Sequence, residues 1–218
     1  CPPHSAALTG VLLKWLTRRP LVVDFRDDWV DTPWFRQKSR LAQMIERMQE
    51  RIVVHTADRM ILVTKWSRDA FQRRYSRVNP HRFAFVPNGC DLTDFDDIPV
   101  VDPDPATFTI VHAGLLTDSH DWNRSPEGFF EALCSLRAKS PGLWARIRVV
   151  FTGALPDTYR AVAARKGLLD HIEEAGFLPW DHLLALMASA DLLLTINYEG
   201  FSTLIPGKIY EYWAVGGP

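Results

Sequence analysis

The sequence has few cysteines, no long apolar run and no excess of charge of either sign. Its three cysteines, Cys1, Cys90 and Cys134, are odd in number and far apart, with no C-x-x-C pair and no histidine spacing suited to zinc. Such usage fits a reducing compartment and implies a cytoplasmic protein. No stretch approaches the roughly 18 to 20 apolar residues of a membrane span. The opening CPPHSAALTG lacks the basic region and apolar core of a signal peptide. Lys and Arg number 25 against 26 Asp and Glu, a formal charge of −1. That balance gives no general attraction for nucleic acid or anionic lipid. Two nucleotide motifs are also missing. No G-x-G-x-x-G follows any predicted strand, and six residues separate Gly200 from Gly207 with Ile209 after Lys208, so the P-loop pattern is not met.

What is present is the makeup of a folded protein: 218 residues, 47% hydrophobic and 23% charged. Short β-branched runs alternate with helical periodicity, which predicts an α/β fold with parallel sheets. A helix capped by Ser5 is expected through Arg18, its packing stripe being Ala7, Leu8, Val11, Leu12, Trp15 and Leu16. The strand 21–25 follows and runs into Arg26-Asp27-Asp28-Trp29. The helix 39–56 is expected to bury Leu41, Met44, Ile45, Met48, Ile52 and Val53 and to turn its charges to solvent. Strand 60–64, helix 65–75 and strand 83–86 lead to Asn88-Gly89. The acidic, proline-bearing DLTDFDDIPVVDPDP then reads as a linker. A second alternation begins with strand 108–114 and continues through helix 125–139, strand 147–153, helix 156–166, a short strand ending at Phe177-Leu178 and helix 180–189. It ends with strand 191–197, expected to be buried on both faces. Both chain ends read as cut, since the first element is already a helix and the last helix lacks its following strand.

Candidate ligand groups lie where strands end. In open α/β sheets ligands sit beyond the carboxyl ends of strands, which singles out Arg26 and Asp27 after the first strand and Gly114 after the first strand of the second alternation. The plain alternative for Asp27 or Asp28 is a turn cap paired with Arg26. Pro206 suits a first helical position, so a helix is predicted from there to Val215, closed by Gly216-Gly217. Lys208 and Glu211 are three apart on one face of it. A cation and a carboxylate there suit a nucleotide, phosphate on one and ribose hydroxyls on the other; an ordinary solvated pair is the alternative. Arg124, just before a helix, can reach a phosphate or lie on the surface. His112 reads as a hydrogen-bonded core residue, and Phe129, Phe130, Tyr210, Tyr212 and Trp213 as mostly core packing.

Several of these stretches, in order, resemble the family 4 retaining glycosyltransferases of two-domain GT-B fold that build bacterial surface polysaccharides. Residues 21–29, LVVDFRDDW, resemble that group's D-x-R-D-x-W loop. Val86-Pro87-Asn88-Gly89-Cys90-Asp91 with Phe95 resembles its V-P-N-G-x-D-x-x-x-F element. Ile110 to Gly114 resembles the first strand and glycine of the nucleotide-binding domain, Ala190-Asp191 its "aD", and Pro206 to Tyr212 its donor-site helix. By this resemblance Glu211 is similar to the second glutamate of the E-x7-E motif, which holds ribose hydroxyls. The first glutamate falls at Thr203, eight positions earlier, and Glu199 is twelve away, a departure shared by branches with a P-x-K-x-x-E form. Arg26 falls where many members place a histidine.

The resemblance implies an α/β protein of two Rossmann-like GT-B domains, both incomplete here. Residues 1–98 are expected to be the later part of an acceptor-side domain, 99–106 a linker, and 107–218 the first part of a nucleotide-sugar-binding domain. The implied catalytic residues are Arg26 and Asp27. The implied donor-binding set is Gly114, Arg124, Phe177, Leu178, Thr203, Leu204, Lys208 and Glu211, with loop amides 202–204, no metal and no cofactor. The implied reaction moves a hexosyl group from a nucleotide-diphosphate sugar to a saccharide or lipid-linked acceptor in a cytoplasmic protein, with peripheral contact to the inner membrane face and no nucleic-acid partner. The 218 residues alone are expected not to turn over. A sugar-nucleotide epimerase of the same fold, or a non-catalytic binding module, is the alternative.

Overall fold

A computed structural model of the chain describes residues 4–30, 32–96, 98, 104–119, 122–197 and 204–216. Two units form: residues 1–88 with 200–205, and residues 89–199 with 206–218.

In the first unit, α1 (Ala6–Thr17), β1 (Val22–Phe25), α2 (Pro33–Gln37), α3 (Arg40–Thr56), β2 (Arg59–Leu62), α4 (Lys65–Arg74) and β3 (Phe83–Phe85) follow in order. The strands form a parallel sheet β1-β2-β3, with Val23 opposite Met60 and Met60 opposite Phe83. Hydroxyl caps set three helix starts: Thr32 Oγ1 accepts from Phe35 N, Ser39 Oγ from Ala42 N and Thr64 Oγ1 from Ser67 N. Ser5, expected to cap α1, makes no such bond, because its own backbone is already helical. Phe25, Phe71, Met60 and Leu62 fill the core between sheet and helices.

The largest departure from the sequence pattern concerns α1 and α3. Of the expected α1 stripe only Ala7 and Val11 are buried and Leu8 partly so, while Leu12, Trp15 and Leu16 are exposed. In α3 the apolar stripe Leu41, Met44, Ile45, Met48 and Ile52 faces solvent, and Val53, Val54 and Glu50 face the core. The reason is Glu50. Its carboxylate is fully buried and accepts from Arg74 Nη1 at 2.7 Å and Tyr75 Oη at 2.6 Å, so a polar residue occupies the packed face. Periodicity cannot register partners 24 and 25 residues away.

The second unit contains β4 (Phe108–His112), β5 (Thr117–Ser119), β6 (Trp122–Arg124), α5 (Glu127–Lys139), α6 (Pro141–Trp144), β7 (Ile147–Phe151), α7 (Asp157–Arg165), β8 (Ile172–Glu174), α8 (Trp180–Ala188), β9 (Leu192–Leu193) and α9 (Lys208–Ala214). Its parallel sheet runs β8-β7-β4-β9, that is third, second, first and fourth in the sheet's chain order, the ordering of a Rossmann-like half. The last strand is shorter than expected and lies at the edge: only Leu192 and Leu193 pair with β4, and Leu192 is exposed. Asp191 compensates, its Oδ2 accepting from Thr109 N at 2.7 Å while its own N–H donates to Thr109 O at 3.0 Å. Residues 89–96, read from sequence as part of the first domain, group with this unit. Phe95 meets the Trp180 ring at 5.9 Å, and Cys90 Sγ donates to Tyr210 O at 3.4 Å.

The orientation of α3 can be checked by urea unfolding. Met48→Ser, on the outward stripe, is expected to change stability by less than about 0.5 kcal/mol, and Val53→Ala to cost about 2 kcal/mol; the reverse order would show that the stripe is buried.

Candidate functional site

Sheet order points to one place in the second unit. The chain leaves β4 to build β7 and β8 on one side and returns to lay β9 on the other, so the crevice beyond the carboxyl ends of β4 and β9 is the switch point where such sheets take ligands. Gly114 lies two residues past β4 with φ 138°, and a Cβ there would come within 2.4 Å of Lys208 Nζ. Gly153, two residues past β7, is similarly constrained, since a Cβ would meet Gly114 O at 2.9 Å. Two adjacent strands thus end in residues without side chains, and backbone and ligand can approach closely.

Lys208 fills the space that Gly114 leaves. It opens α9, and its Nζ is buried with no hydrogen-bond partner among the described residues. Burial, with the Arg124 charge adding to it and Glu211 opposing, lowers its pKa to about 8. α9 has only seven residues, so the positive potential here rests on the side chains of Lys208 and Arg124 more than on a helix dipole. Arg124 comes from a feature absent from the sequence reading, the antiparallel hairpin β5–β6, in which Thr117 pairs with Arg124. Thr158 Oγ1 donates to Asp118 Oδ2 at 2.6 Å and Tyr159 Oη to Thr117 O at 3.3 Å, tying the hairpin to α7.

His112 is buried beneath the two cations. Its Nδ1 lies 2.8 Å from Leu194 O. A carbonyl only accepts, so Nδ1 carries the proton and Nε2 is bare, buried and unpartnered among the described residues. Burial first, then the charges of Lys208 and Arg124, lower its pKa to about 4 against the Leu194 bond, keeping it neutral. Tyr212 completes the floor: its hydroxyl accepts from Ala113 N at 2.9 Å and donates to Leu194 O at 3.2 Å, and burial raises its pKa to about 12.

A cavity of about 280 Å³ opens over these groups. Gly114, Phe177, Leu178, Lys208 and Glu211 line it, so five residues singled out from sequence meet in one place. Ala113, Leu115, Thr152 and Leu183 also line it and were not foreseen; the only sequence signal for them was adjacency to strand ends. Phe177 is 80% exposed at the wall, an apolar ring open to a ligand. Leu204 is half-buried and groups with the first unit. Thr203, with the rest of 198–203, lies outside the described residues. Arg26 and Asp27 follow β1 in the first unit, Arg26 exposed and Asp27 half-buried. The turn-capping alternative finds no Arg26 ion pair among the described residues; Asp28 is buried and accepts from Ser67 Oγ. Of the aromatic trio on α9 only Tyr212 is core, and Trp213, a quarter-turn further round the helix, is exposed. Among the described residues no cluster could hold a metal ion, and no helix is long and apolar enough to cross a membrane.

Two Rossmann-like α/β units with parallel sheets are the architecture of GT-B glycosyltransferases. Residues 1–89 match the family described as "Glycosyl transferase 4-like domain". Compared with curated protein sequences, the chain has no match. Among solved structures it resembles HepE from Anabaena, crystallised with UDP and glucose, at 18% identity over 99% of this chain and 56% of that one, with a TM-score of 0.68. It also resembles WaaG, a glycosyltransferase involved in lipopolysaccharide biosynthesis, at 19% identity over 90% and 55% of the two chains, TM-score 0.64. The lipopolysaccharide outer core galactosyltransferase WaaB is similar at 14% identity over 99% and 53%, TM-score 0.61. The chain thus spans about half the length of these structures.

Gly114→Ala tests the close approach. Strain at positive φ is expected to cost about 1–3 kcal/mol, and the displaced Lys208 ammonium should return to solvent, its pKa rising from about 8 toward the ordinary 10.5. NMR titration of the lysine Nζ resonances measures this; an unmoved Lys208 would refute the packing described.

Proposed function

We propose that the protein carrying this chain is a glycosyltransferase that moves a hexosyl group from a nucleotide-diphosphate sugar to a saccharide or lipid-linked acceptor. The transfer is retaining, metal-independent and part of cell-surface polysaccharide synthesis, in a cytoplasmic protein with peripheral membrane contact. The observation that carries this reading is the buried Lys208 ammonium, without a hydrogen-bond partner among the described residues and within reach of the Arg124 charge, at the switch-point crevice under a glycine. A buried ammonium with no anionic partner is costly in the free protein and becomes favourable when a diphosphate enters. Glu211, one turn along α9, can accept two hydroxyl hydrogen bonds from a ribose, and the open ring of Phe177 gives a base or sugar an apolar face. The UDP bound to HepE supports the ligand class.

The chemistry asked of these groups is electrostatic. As the bond from the anomeric carbon to the diphosphate breaks, negative charge grows on the leaving oxygen, and Lys208 and Arg124 stabilise it in a water-poor site. Neutral His112 below adds no charge of its own. In this proposal residues 107–218 bind the sugar nucleotide, residues 1–98 serve the acceptor through Arg26 and Asp27, and Thr203, Leu204 and Leu178 complete the donor contacts. Because the similar structures are about twice as long, absence of turnover by the 218 residues alone is part of the same proposal.

Charge assigns each residue a ligand fragment. Glu211→Ala is expected to weaken a nucleoside monophosphate and diphosphate alike, by about 1.5–3 kcal/mol. Lys208→Ala and Arg124→Ala should weaken the diphosphate far more, with a loss that shrinks as salt rises. Calorimetric titration of both ligands decides it, and equal losses in the two cation variants would overturn the phosphate assignment.

A pH profile gives an independent reading. Lys208 is charged below about pH 8 and neutral above it, so diphosphate affinity should hold from pH 6 to 7 and fall as pH rises through 8, by up to about tenfold per unit. Lys208→Gln should bind weakly with no such break. An unbroken wild-type profile to pH 10 would count against a lysine–phosphate contact.

A further inference from the structure

Arg124 is placed by a hairpin that stands apart from the main sheet. Among the described residues β5 and β6, three residues each, form a sheet of their own, in which Thr117 lies opposite Arg124. A two-stranded ribbon is marginally stable by itself, so the direction of the guanidinium depends on what anchors the ribbon. Leu116, just ahead of β5, is buried in the same apolar cluster as Leu155 and Tyr159. That contact holds the entrance to the ribbon. The strand that carries Arg124 is held by polar ties.

These ties converge on α7. The helix follows β7, so its first turn lies on the ligand side of the sheet. Tyr159 there is buried, and its hydroxyl donates to Thr117 O at 3.3 Å. Burial raises its pKa above the ordinary phenol value, so the proton stays in place. Ser125, the residue after Arg124, hydrogen-bonds the same hydroxyl, and Ser125 Oγ in turn accepts from Glu127 N at 3.2 Å. One hydroxyl thus joins the residue opposite Arg124 to the residue that follows it, and links both to the first turn of α5. Thr158 Oγ1 adds a second tie, donating to Asp118 Oδ2 at 2.6 Å. Tyr159, Ser125, Thr158 and Asp118 do not line the cavity. They act on it by where they hold Arg124, whose charge reaches both Lys208 and His112.

We propose that Tyr159 is the positioning residue for Arg124: its hydroxyl, shared between Thr117 and Ser125, holds the β5–β6 ribbon so that the guanidinium faces the switch-point crevice, with Thr158 and Asp118 as a second brace. This rests on the reading of Arg124 as a phosphate contact and names what aims it. A guanidinium offers a phosphate two parallel bonds only when its plane is correctly turned. Loosening the ribbon therefore costs affinity for a phosphate, while Glu211, on another element, keeps its ribose contact. A tyrosine needed for packing alone would act through its ring, and removing its hydroxyl would not single out one phosphate of a ligand.

The test, made in the protein that carries this chain, compares UDP with UMP by calorimetry and follows Arg124 by NMR relaxation of its Nε resonance, assigned from Arg124→Gln. Tyr159→Phe, which keeps the ring, is expected to weaken UDP about fivefold, the worth of one hydrogen bond, and UMP by less than about twofold. The Arg124 Nε should become more mobile at the same time. In an Arg124→Gln background Tyr159→Phe should bring no further loss of UDP, the non-additivity of two residues acting as one. Thr158→Val should weaken UDP in the same selective way by about twofold, and Thr158→Ser should restore it. Retained UMP binding shows that the variants fold. An equal loss of UDP and UMP, or losses that add in the double variant, would overturn the proposal and leave Tyr159 a packing residue. If Arg124→Gln itself leaves UDP affinity unchanged, the phosphate reading of Arg124 fails. The aiming of its side chain is then decided by relaxation alone, and an Nε as rigid in Tyr159→Phe as in the wild type would overturn that as well.

Discussion

An ammonium held out of water without a hydrogen-bond partner among the described residues is the constraint on which the second unit depends. Lys208 Nζ lies against the backbone of Gly114, and its unfavourable desolvation must be borne by the rest of the fold. The hydroxyl of Tyr212 holds α9 to Ala113 and Leu194, so the lysine cannot swing away by moving the helix. Gly153 lets the Gly114 carbonyl take its place, and neutral His112 tolerates two cations above it because its own proton is committed to Leu194.

The first unit solves a different problem, that of placing a carboxylate inside a helix–sheet core. Glu50 Oε1 accepts from Arg74 and from Tyr75, the last residue and the C-cap of α4, so α3 and α4 are joined through polar contacts as well as through Val53, Val54 and Phe71. Since the polar residue is inside, the apolar residues of α3 are outside.

Much of the fold was legible because strands and helices here announce themselves locally: the periodic stretches 39–56 and 65–75 form α3 and α4, and the β-branched runs of β1, β4 and β7 pair as parallel strands. Gly114, Phe177, Leu178, Lys208 and Glu211 could be gathered because strand ends and helix starts face one crevice in such sheets. The rest depended on distant partners. β5 and β6 have three residues each, too few for a period to show, and the direction of α3 was hidden in a glutamate whose partners lie a helix away. The exposed position of β9 could not be read from an apolar run, which looks the same at the edge of a sheet as at its centre.

Asp191 has a bearing on how the site comes together in time. Two ladder residues contain almost no information about register, and a slip of one would exchange Leu192 with Leu193 and move Leu194 away from both His112 and Tyr212. The paired bonds between Asp191 and Thr109 admit a single alignment. The strand therefore reads its position from a side chain, which fixes where the Leu194 carbonyl stands for His112 and Tyr212.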